Sequence, residues 1–506
     1  MKKTYRILTT VLSILLLLFT TACAGAQTEA GAPKYVFLFI GDGMSWPQIT
    51  AFANYQGTMA FEFTGTTLDP TPENQPAPLF PSFTRFPVLG ATATQDASKF
   101  ITDSASAATA MASGVKALDG TLGVDAFASP MPTIAELLRE QKGFKIGIVT
   151  SVSQDHATPA AFYSHMTSRR SYYDIALNIL GSGFDYFGGG GFRQPHGAGG
   201  DLRGILELMA DAGYAVADTY ETIAALGANG GKVIAVAPEL DNDFGDAALP
   251  YAIDRQGGLR LADFTQTGIE LLHNETGFFM MIEGGKIDWA CHANDAATAI
   301  WELGEFEAAV DAAVQFAERY PGETLIIVTG DHETGGLSNG YNRTSYDTHL
   351  ALLANQRISY PRFMYDYIYP WRDAQTAFEE AMADVESLFG LTMPSAADED
   401  TDPLLILTER ELEALREAYA LSMIPYGQRD NQSDEYKAVY SPSTYEPFQL
   451  AVTRVLNNKA GLGWSSTLHT ALPVPVFAAG AGAERFAGFY DNTDIFHKLA
   501  SLLGLD

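Results

Sequence analysis

The chain has 506 residues, 47% hydrophobic, 11% aromatic and 18% charged, which is longer than one compact domain usually runs and excludes disorder over most of its length. Its 31 Lys+Arg against 61 Asp+Glu leave a formal net charge of -30, a field that repels polyanions and excludes nucleic acid as the main partner; an anionic substrate needs local positive charge, most economically a metal. Two cysteines, Cys23 and Cys291, exclude a disulfide framework and any thiolate-rich metal site.

Lys2, Lys3 and Arg6 precede an apolar run, Ile7 to Phe19, that is too short to span a bilayer and ends in small residues, the pattern of an export signal over 1–22 followed by a linker over 23–33. Thr20-Thr21-Ala22-Cys23 reads as a lipobox that would leave a lipid anchor on Cys23 at a bacterial membrane. Ala22-Cys23-Ala24 also fits an ordinary signal-peptidase site and release to the periplasm or medium; the lipoprotein reading is preferred.

From Lys34 onward, short apolar runs closed by Gly or polar residues alternate with helical stretches, the signature of an α/β fold with a central, mostly parallel sheet flanked by helices. In chain order, strands are expected at Tyr35–Ile40, Lys145–Val149, Phe278–Ile282, Thr324–Val328 and Val474–Ala479, and helices at Thr133–Gln141, Ala296–Tyr320 and Asp494–Leu503. The proline-rich segment Asp69–Pro81 reads as a surface loop. The stretch 338–459 breaks the alternation and is expected to be an α-rich insertion into a catalytic domain made of 34–337 and 460–506. It carries an aromatic run (Tyr360, Phe363, Tyr365, Tyr367, Tyr369, Trp371) and a capping-box pair, Thr408 and Glu411. The aromatics read as the core of this subdomain, with a substrate-facing lid as the alternative. Asp241–Asp246 hints at calcium but lacks the loop spacing and reads as a solvated acidic turn. His165, His196, His273, His349 and His497 are taken as structural or surface residues.

Position singles out the functional candidates. Asp42 ends the first strand, Glu283 follows the third, and Asp331 with His332 follows the fourth; in parallel sheets such strand ends share one crevice. Carboxylates gathered there repel one another unless cations join them, and a mixed Asp/His set suits Zn²⁺, with an oxygen-only corner for Mg²⁺. Asp288 and His292, one helical turn apart, can grip a single ion. His469 is a candidate only in company with these. Thr102-Asp103-Ser104 opens an Ala/Ser helix whose N-terminus favours a phosphate or an ionised serine oxygen. Ser104 is therefore a candidate nucleophile, and with no Ser-His-Asp arrangement around it a metal would have to activate it.

Taken together, Phe39–Met44, Thr102–Ala105, His156–Pro159 with Thr167–Arg169, Glu283-Gly284 with Asp288 and His292, Thr329–His332 and His469-Thr470 resemble the alkaline phosphatases of the bacterial and mammalian type, from about residue 34 to the end excepting 338–459. The resemblance implies two Zn²⁺ and one Mg²⁺. Asp288, His292 and His469 would hold one zinc, Asp42, Asp331 and His332 the other, and Asp42, Thr158 and Glu283 the magnesium. It further implies Ser104 as the residue that becomes phosphoserine, Arg169 as the guanidinium gripping two phosphate oxygens, and two in-line displacements on small-molecule phosphate monoesters. A homodimer is left open.

Two positions depart from the enterobacterial pattern: His156 and Trp289 stand where that branch carries Asp and Lys. The third metal's identity is thereby put in question, and weaker retention of product phosphate is expected. Competing readings are a phosphodiesterase or sulfatase of the same superfamily, and an exported metal- or phosphate-binding protein without turnover. Cys291 is followed by His292-Ala293-Asn294, which does not make the sulfatase cysteine motif, and a binding protein would be expected to lose Ser104 or Arg169.

Overall fold

A computed structural model describes residues 32–61, 76–227, 231–440 and 445–505. The export signal, the linker up to 31 and Cys23 lie outside the described residues, as does most of the proline-rich segment; Pro76–Phe80 is exposed and irregular. Among the described residues no helix is long and apolar enough to cross a membrane.

Ten strands form the main sheet: β1 (Tyr35–Gly41), β2 (Val88–Ala93), β3 (Lys145–Thr150), β4 (Tyr186–Gly189), β5 (Ala215–Ala217), β6 (Val233–Val236), β7 (Phe278–Gly284), β8 (Thr324–Gly330), β13 (Val474–Gly480) and β14 (Gly488–Asp491). Four short strands, β9 (Glu333–Thr334), β10 (Leu337–Asn339), β11 (Leu462–Trp464) and β12 (His469–Thr470), pair off outside it. The order across the sheet is β14-β2-β13-β8-β1-β7-β3-β4-β6-β5, and β13 alone runs against the rest. The five expected strands are present. Three of them, β1, β7 and β8, are seven-residue runs buried end to end, because helices cover both faces of the sheet centre. Along β1, Phe37 and Phe39 enter one core layer while Val36, Leu38 and Ile40 enter the other, the period-two alternation of an extended chain.

The helices that matter for the site are α1 (Trp46–Ala60), α2 (Ser104–Ser113), α3 (Leu261–Leu272), α4 (Lys286–His292), α5 (Ala296–Arg319), α6 (Pro447–Ala460) and α7 (Thr493–Leu503). On α5, Phe306 is fully buried and meets Phe39 and Phe83 edge-on at 6.0 and 6.1 Å; burial of such a ring stabilises the layer by roughly 1.5–3 kcal/mol. The helix expected at Thr133–Gln141 opens at Ile134 under a Thr133/Glu136 capping box and widens to a π-turn over Leu138–Lys142.

Between β10 and β11, which pair antiparallel, the chain is helical and leaves and rejoins the main body at neighbouring points. Its aromatic run packs inward: Phe363 and Trp371 are buried against Phe448 of α6. The Asp241–Asp246 turn is less solvated than its composition suggests, since Asp246 pairs with Arg193 at 2.8 Å. His165 bonds Gly123 O and Glu136, and His497 lies 3.0 Å from Gly114 O, contacts that hold local structure.

Candidate active site and metal centre

The four central strands β8, β1, β7 and β3 end side by side, with Gly41 level with Gly330 and Glu283 level with both Ile40 and Thr150. The residues that follow them meet in one crevice, as strand-end placement requires. Gly43, at φ +73, lets the β1 loop turn sharply; a Cβ there would stand 2.8 Å from Asp288 Cα, so only glycine brings the loop this close to α4. Its N–H donates to Asp331 Oδ1 at 3.0 Å.

Asp42, Glu283, Asp288, Asp331, His332 and Thr158 are all buried. His332 Nε2 stands 3.4 Å from Asp42 Oδ1, 3.3 Å from Asp331 Oδ2 and 3.2 Å from Ser104 Oγ. Asp288 approaches His292 Nε2 at 3.3 Å and His469 Nε2 at 3.6 Å, and the two imidazole Nε2 atoms are 3.0 Å apart. Two sets of side chains bring ligand atoms within reach of a common ion: Asp42 with Asp331 and His332, and Asp288 with His332 and His469. His332 belongs to both, whereas the sequence expectation gave it to the first alone. Thr158 Oγ1 faces Asp42 at 3.4 Å, and Glu283 accepts from Thr150 Oγ1.

The donor set fits cations. Asp42 Oδ1, Asp331 Oδ2 and Glu283 Oε1 are buried without a hydrogen-bond partner, an arrangement that costs free energy unless something positive lies between them. The titration pattern has the same cause. Burial, then repulsion from Asp331 and Asp288, drives Asp42 well above the carboxylate range; burial and Asp331 push Glu283 up to about 8, and burial and Asp288 push Asp331 up to about 7. Burial alone would raise Asp288 too, but the charge and hydrogen bond of His292 beside it prevail and hold it low. Burial lowers His332 to about 4 and His469 to about 3, which leaves their imidazoles neutral and able to ligate.

Several partners that orient these groups were not singled out from the sequence. Thr334 on β9 donates to Asp288 Oδ1 at 2.5 Å and touches His332 Nδ1 at 3.3 Å. His292 Nδ1 is 2.6 Å from Thr467 O and His469 Nδ1 is 2.7 Å from Thr102 O; each carbonyl fixes a tautomer that turns Nε2 inward. Thr334 sits inside the Gly-rich stretch after β8, but neither its hydroxyl's target nor a carbonyl's direction carries a residue-type signal.

Ser104 is the first residue of α2, capped by Asp103, which accepts from Ser106 N at 2.9 Å. Free N–H groups of that first turn surround the serine hydroxyl with partial positive charge. Arg169 donates from Nη1 to Asp103 Oδ2 at 2.9 Å, and its Nη2 lies 3.5 Å from His156 Nε2. Burial, then the nearby Arg169 and Arg193 charges, depresses His156 well below its ordinary value. Trp289 meets the His156 ring edge-on at 5.5 Å. All twelve side chains expected at the site thus lie in or against one crevice.

A profile of the family described as "Alkaline phosphatase" matches residues 33–185 and 240–505; the unmatched 186–239 carries β4, β5 and β6. Alkaline phosphatase 4 of Bacillus subtilis (strain 168) is 30% identical over 495 residues, covering 94% of this chain and 90% of its own. Alkaline phosphatase 3 of the same organism is 30% identical over 503 residues, covering 94% and 92%. The crystal structure of a cold-active alkaline phosphatase from Shewanella sp. superposes with a TM-score of 0.69 at 27% identity, over 93% of this chain and 99% of that one. With the profile spanning both flanks of the sheet and the helical stretch between β10 and β11, the chain belongs to the alkaline phosphatase family.

Proposed function

We propose that the protein is an exported alkaline phosphatase that hydrolyses phosphate monoesters to an alcohol and inorganic phosphate, with Ser104 receiving the phosphoryl group. The observation that carries this reading is the Ser104 hydroxyl at the first turn of α2, 3.2 Å from His332 Nε2, a nitrogen that also faces carboxylate oxygens of Asp42 and Asp331 that accept no hydrogen bond. Asp288, His292 and His469 would hold one zinc, Asp42, Asp331 and His332 the second, and Asp42, Thr158 and Glu283 a magnesium, with His156 close to that third position. When bound, these cations supply Lewis-acid charge that lowers the proton affinity of a nearby hydroxyl and offsets the negative charge of phosphoryl oxygens.

The chain's own residues do the rest. The α2 N-terminus points its N–H groups at the oxygen that becomes charged. Asp103 holds Arg169 from one side, leaving the other edge of the planar fork for two terminal phosphate oxygens. In the first displacement the Ser104 Oγ–P bond forms as the ester P–O bond breaks and the alcohol leaves. In the second, water attacks the phosphoserine, Ser104 regains its proton and phosphate departs. Each in-line step inverts phosphorus, so the sum is retention. A diester has one terminal oxygen fewer for the Arg169 fork, which supports monoesters as the substrate class. The same reading keeps 34–337 and 460–506 as the catalytic domain, 338–459 as an insertion, and Cys23 as a lipid anchor.

Purified protein assayed on an aryl phosphate tests this. Ser104→Ala is expected to lower turnover by about a thousandfold or more with the melting temperature unchanged, and a chelator is expected to abolish activity until zinc and magnesium are returned. Full turnover in either condition would overturn the reading.

A further inference from the structure

Two cavities bear on the Arg169 guanidinium: it lines one, and the other is lined by His156, whose Nε2 is 3.5 Å from Arg169 Nη2. One is lined by Arg169 itself with Asp103, Asp119, Thr167 and Ser168, a polar surface open to water. The other, about 310 Å³, is lined by His156, Trp289, Phe244, Tyr360 and Tyr445 together with Arg193 and Asp246. That volume is at the lower end of what small-molecule sites occupy, and its lining joins the aromatic side chains Phe244, Trp289, Tyr360 and Tyr445 to the polar His156, Arg193 and Asp246, a mixture that a ligand site can use.

Three features show that the second cavity is built. Its walls come from separate parts of the chain: Trp289 from α4, Phe244 from the turn before α3, and Tyr360 and Tyr445 from the helical stretch after β10, where their rings meet at 5.5 Å and 65°. Phe244 is held at φ +58, a left-handed backbone that a bulky residue adopts only under constraint. The constraint is visible: Phe244 N donates to Tyr365 Oη at 3.0 Å, and Phe244 O accepts from Arg193 Nη2 at 3.3 Å, so the ring is kept at the cavity wall. Lastly, the charge of Arg193 is already matched by Asp246 at 2.8 Å, so the cavity offers no free cation for a second phosphate and suits an uncharged group.

We propose that this cavity is the subsite for the organic group of the ester, and that it favours planar aromatic or heteroaromatic groups over aliphatic ones. The inference rests on the phosphatase reading: the phosphate gripped at Arg169 would carry its substituent past His156 and Trp289 into the aromatic walls. It gives the helical stretch after β10 a part in substrate selection through Tyr360 and Tyr445, beyond the core packing of its other aromatics.

The test compares kcat/KM for 1-naphthyl phosphate and glycerol 2-phosphate in the wild type, Phe244→Ala and Tyr445→Ala, so that the intrinsic difference in leaving groups cancels between proteins. Binding of the non-hydrolysable 1-naphthylphosphonate and methylphosphonate is followed by tryptophan emission in the wild type and Trp289→Phe. The aryl-to-alkyl ratio is expected to fall about three- to tenfold in each alanine variant, the size of one lost aromatic contact. The naphthyl ligand is expected to bind more tightly than the methyl one, with a quench that disappears in Trp289→Phe. An unchanged ratio in both variants, with hydrolysis intact, overturns the subsite and leaves the phosphatase reading standing. If the wild type cleaves neither ester, the phosphatase reading falls, and the phosphonates decide the cavity: tighter naphthyl binding with a Trp289-dependent quench upholds it, and equal binding of the two ligands sinks it.

Discussion

At the scale of single residues, the site sets charge against burial. His156 and Trp289 place two neutral rings beside Arg169, since burial and the Arg169 charge keep the His156 imidazole unprotonated. In the proposed reading a product phosphate there would meet Arg169 but no second cationic side chain at position 289. Trp289→Lys is therefore expected to tighten inhibition by inorganic phosphate about three- to tenfold at low ionic strength, read as a competitive Ki in steady-state assays; an unchanged Ki contradicts the assignment of this position to the phosphate pocket. The residues that bear the charge were legible from the sequence, because Asp, Glu and His at strand ends have a residue-type signature and a place. The residues that aim them were not: Thr334, Thr150 and the carbonyls of Thr102 and Thr467 act through directions that only the folded backbone fixes.

At the scale of elements, the strand ends carry the electrostatic strain. Glu283 and Asp331 titrate at about 8 and about 7 in the fold and Asp42 is raised as well, against roughly 4 for such groups in an unfolded chain. Between those values the metal-free fold binds protons that the unfolded chain has released, so its stability falls as pH rises. Below about pH 6.5 this is opposed, because His332 at about 4 and His469 at about 3 stay neutral in the fold while unfolded histidines charge. Above about pH 6.5 the carboxylates act without that opposition. The melting temperature of metal-stripped protein is thus expected to fall by several degrees from about pH 6.5 to about pH 8.5, and zinc with magnesium is expected to restore it at the upper end. A flat or rising curve for the stripped protein would contradict the clustering of unpaired carboxylates. The same scale shows what periodicity could reach. Long runs such as β1, β7 and β8 announce themselves by continuous burial, whereas β5, three residues long, β4, half glycine, and β14, largely exposed, present too short or too mixed a pattern.

At the scale of the whole molecule, the proposed function has a chain of net charge -30 act on an anionic substrate class, and the cations gathered in one crevice would reconcile the two by making the local field opposite to the global one. Placement outside the cell follows in this account from the basic-apolar start of the chain and Cys23. Cell fractionation is expected to find the wild type with membranes and Cys23→Ser in the soluble exported fraction, and an identical distribution would contradict the lipid anchor. The helical stretch between β10 and β11 illustrates why a composition cannot be read for one purpose only. Its aromatics form a core around Phe363, Trp371 and Phe448, yet Tyr360, from the same run, faces the cavity beside Trp289.

The central claim is that the phosphoryl group passes through the hydroxyl of Ser104. Rapid mixing of metal-loaded protein with a phosphate monoester, quenching in acid and mapping the peptides by mass spectrometry tests it most directly. The account predicts one added phosphoryl group on the peptide that contains Ser104, absent from Ser104→Ala. A phosphoryl group found on another residue, or brisk turnover with none found anywhere while Ser104→Ala remains as active as the wild type, would contradict it.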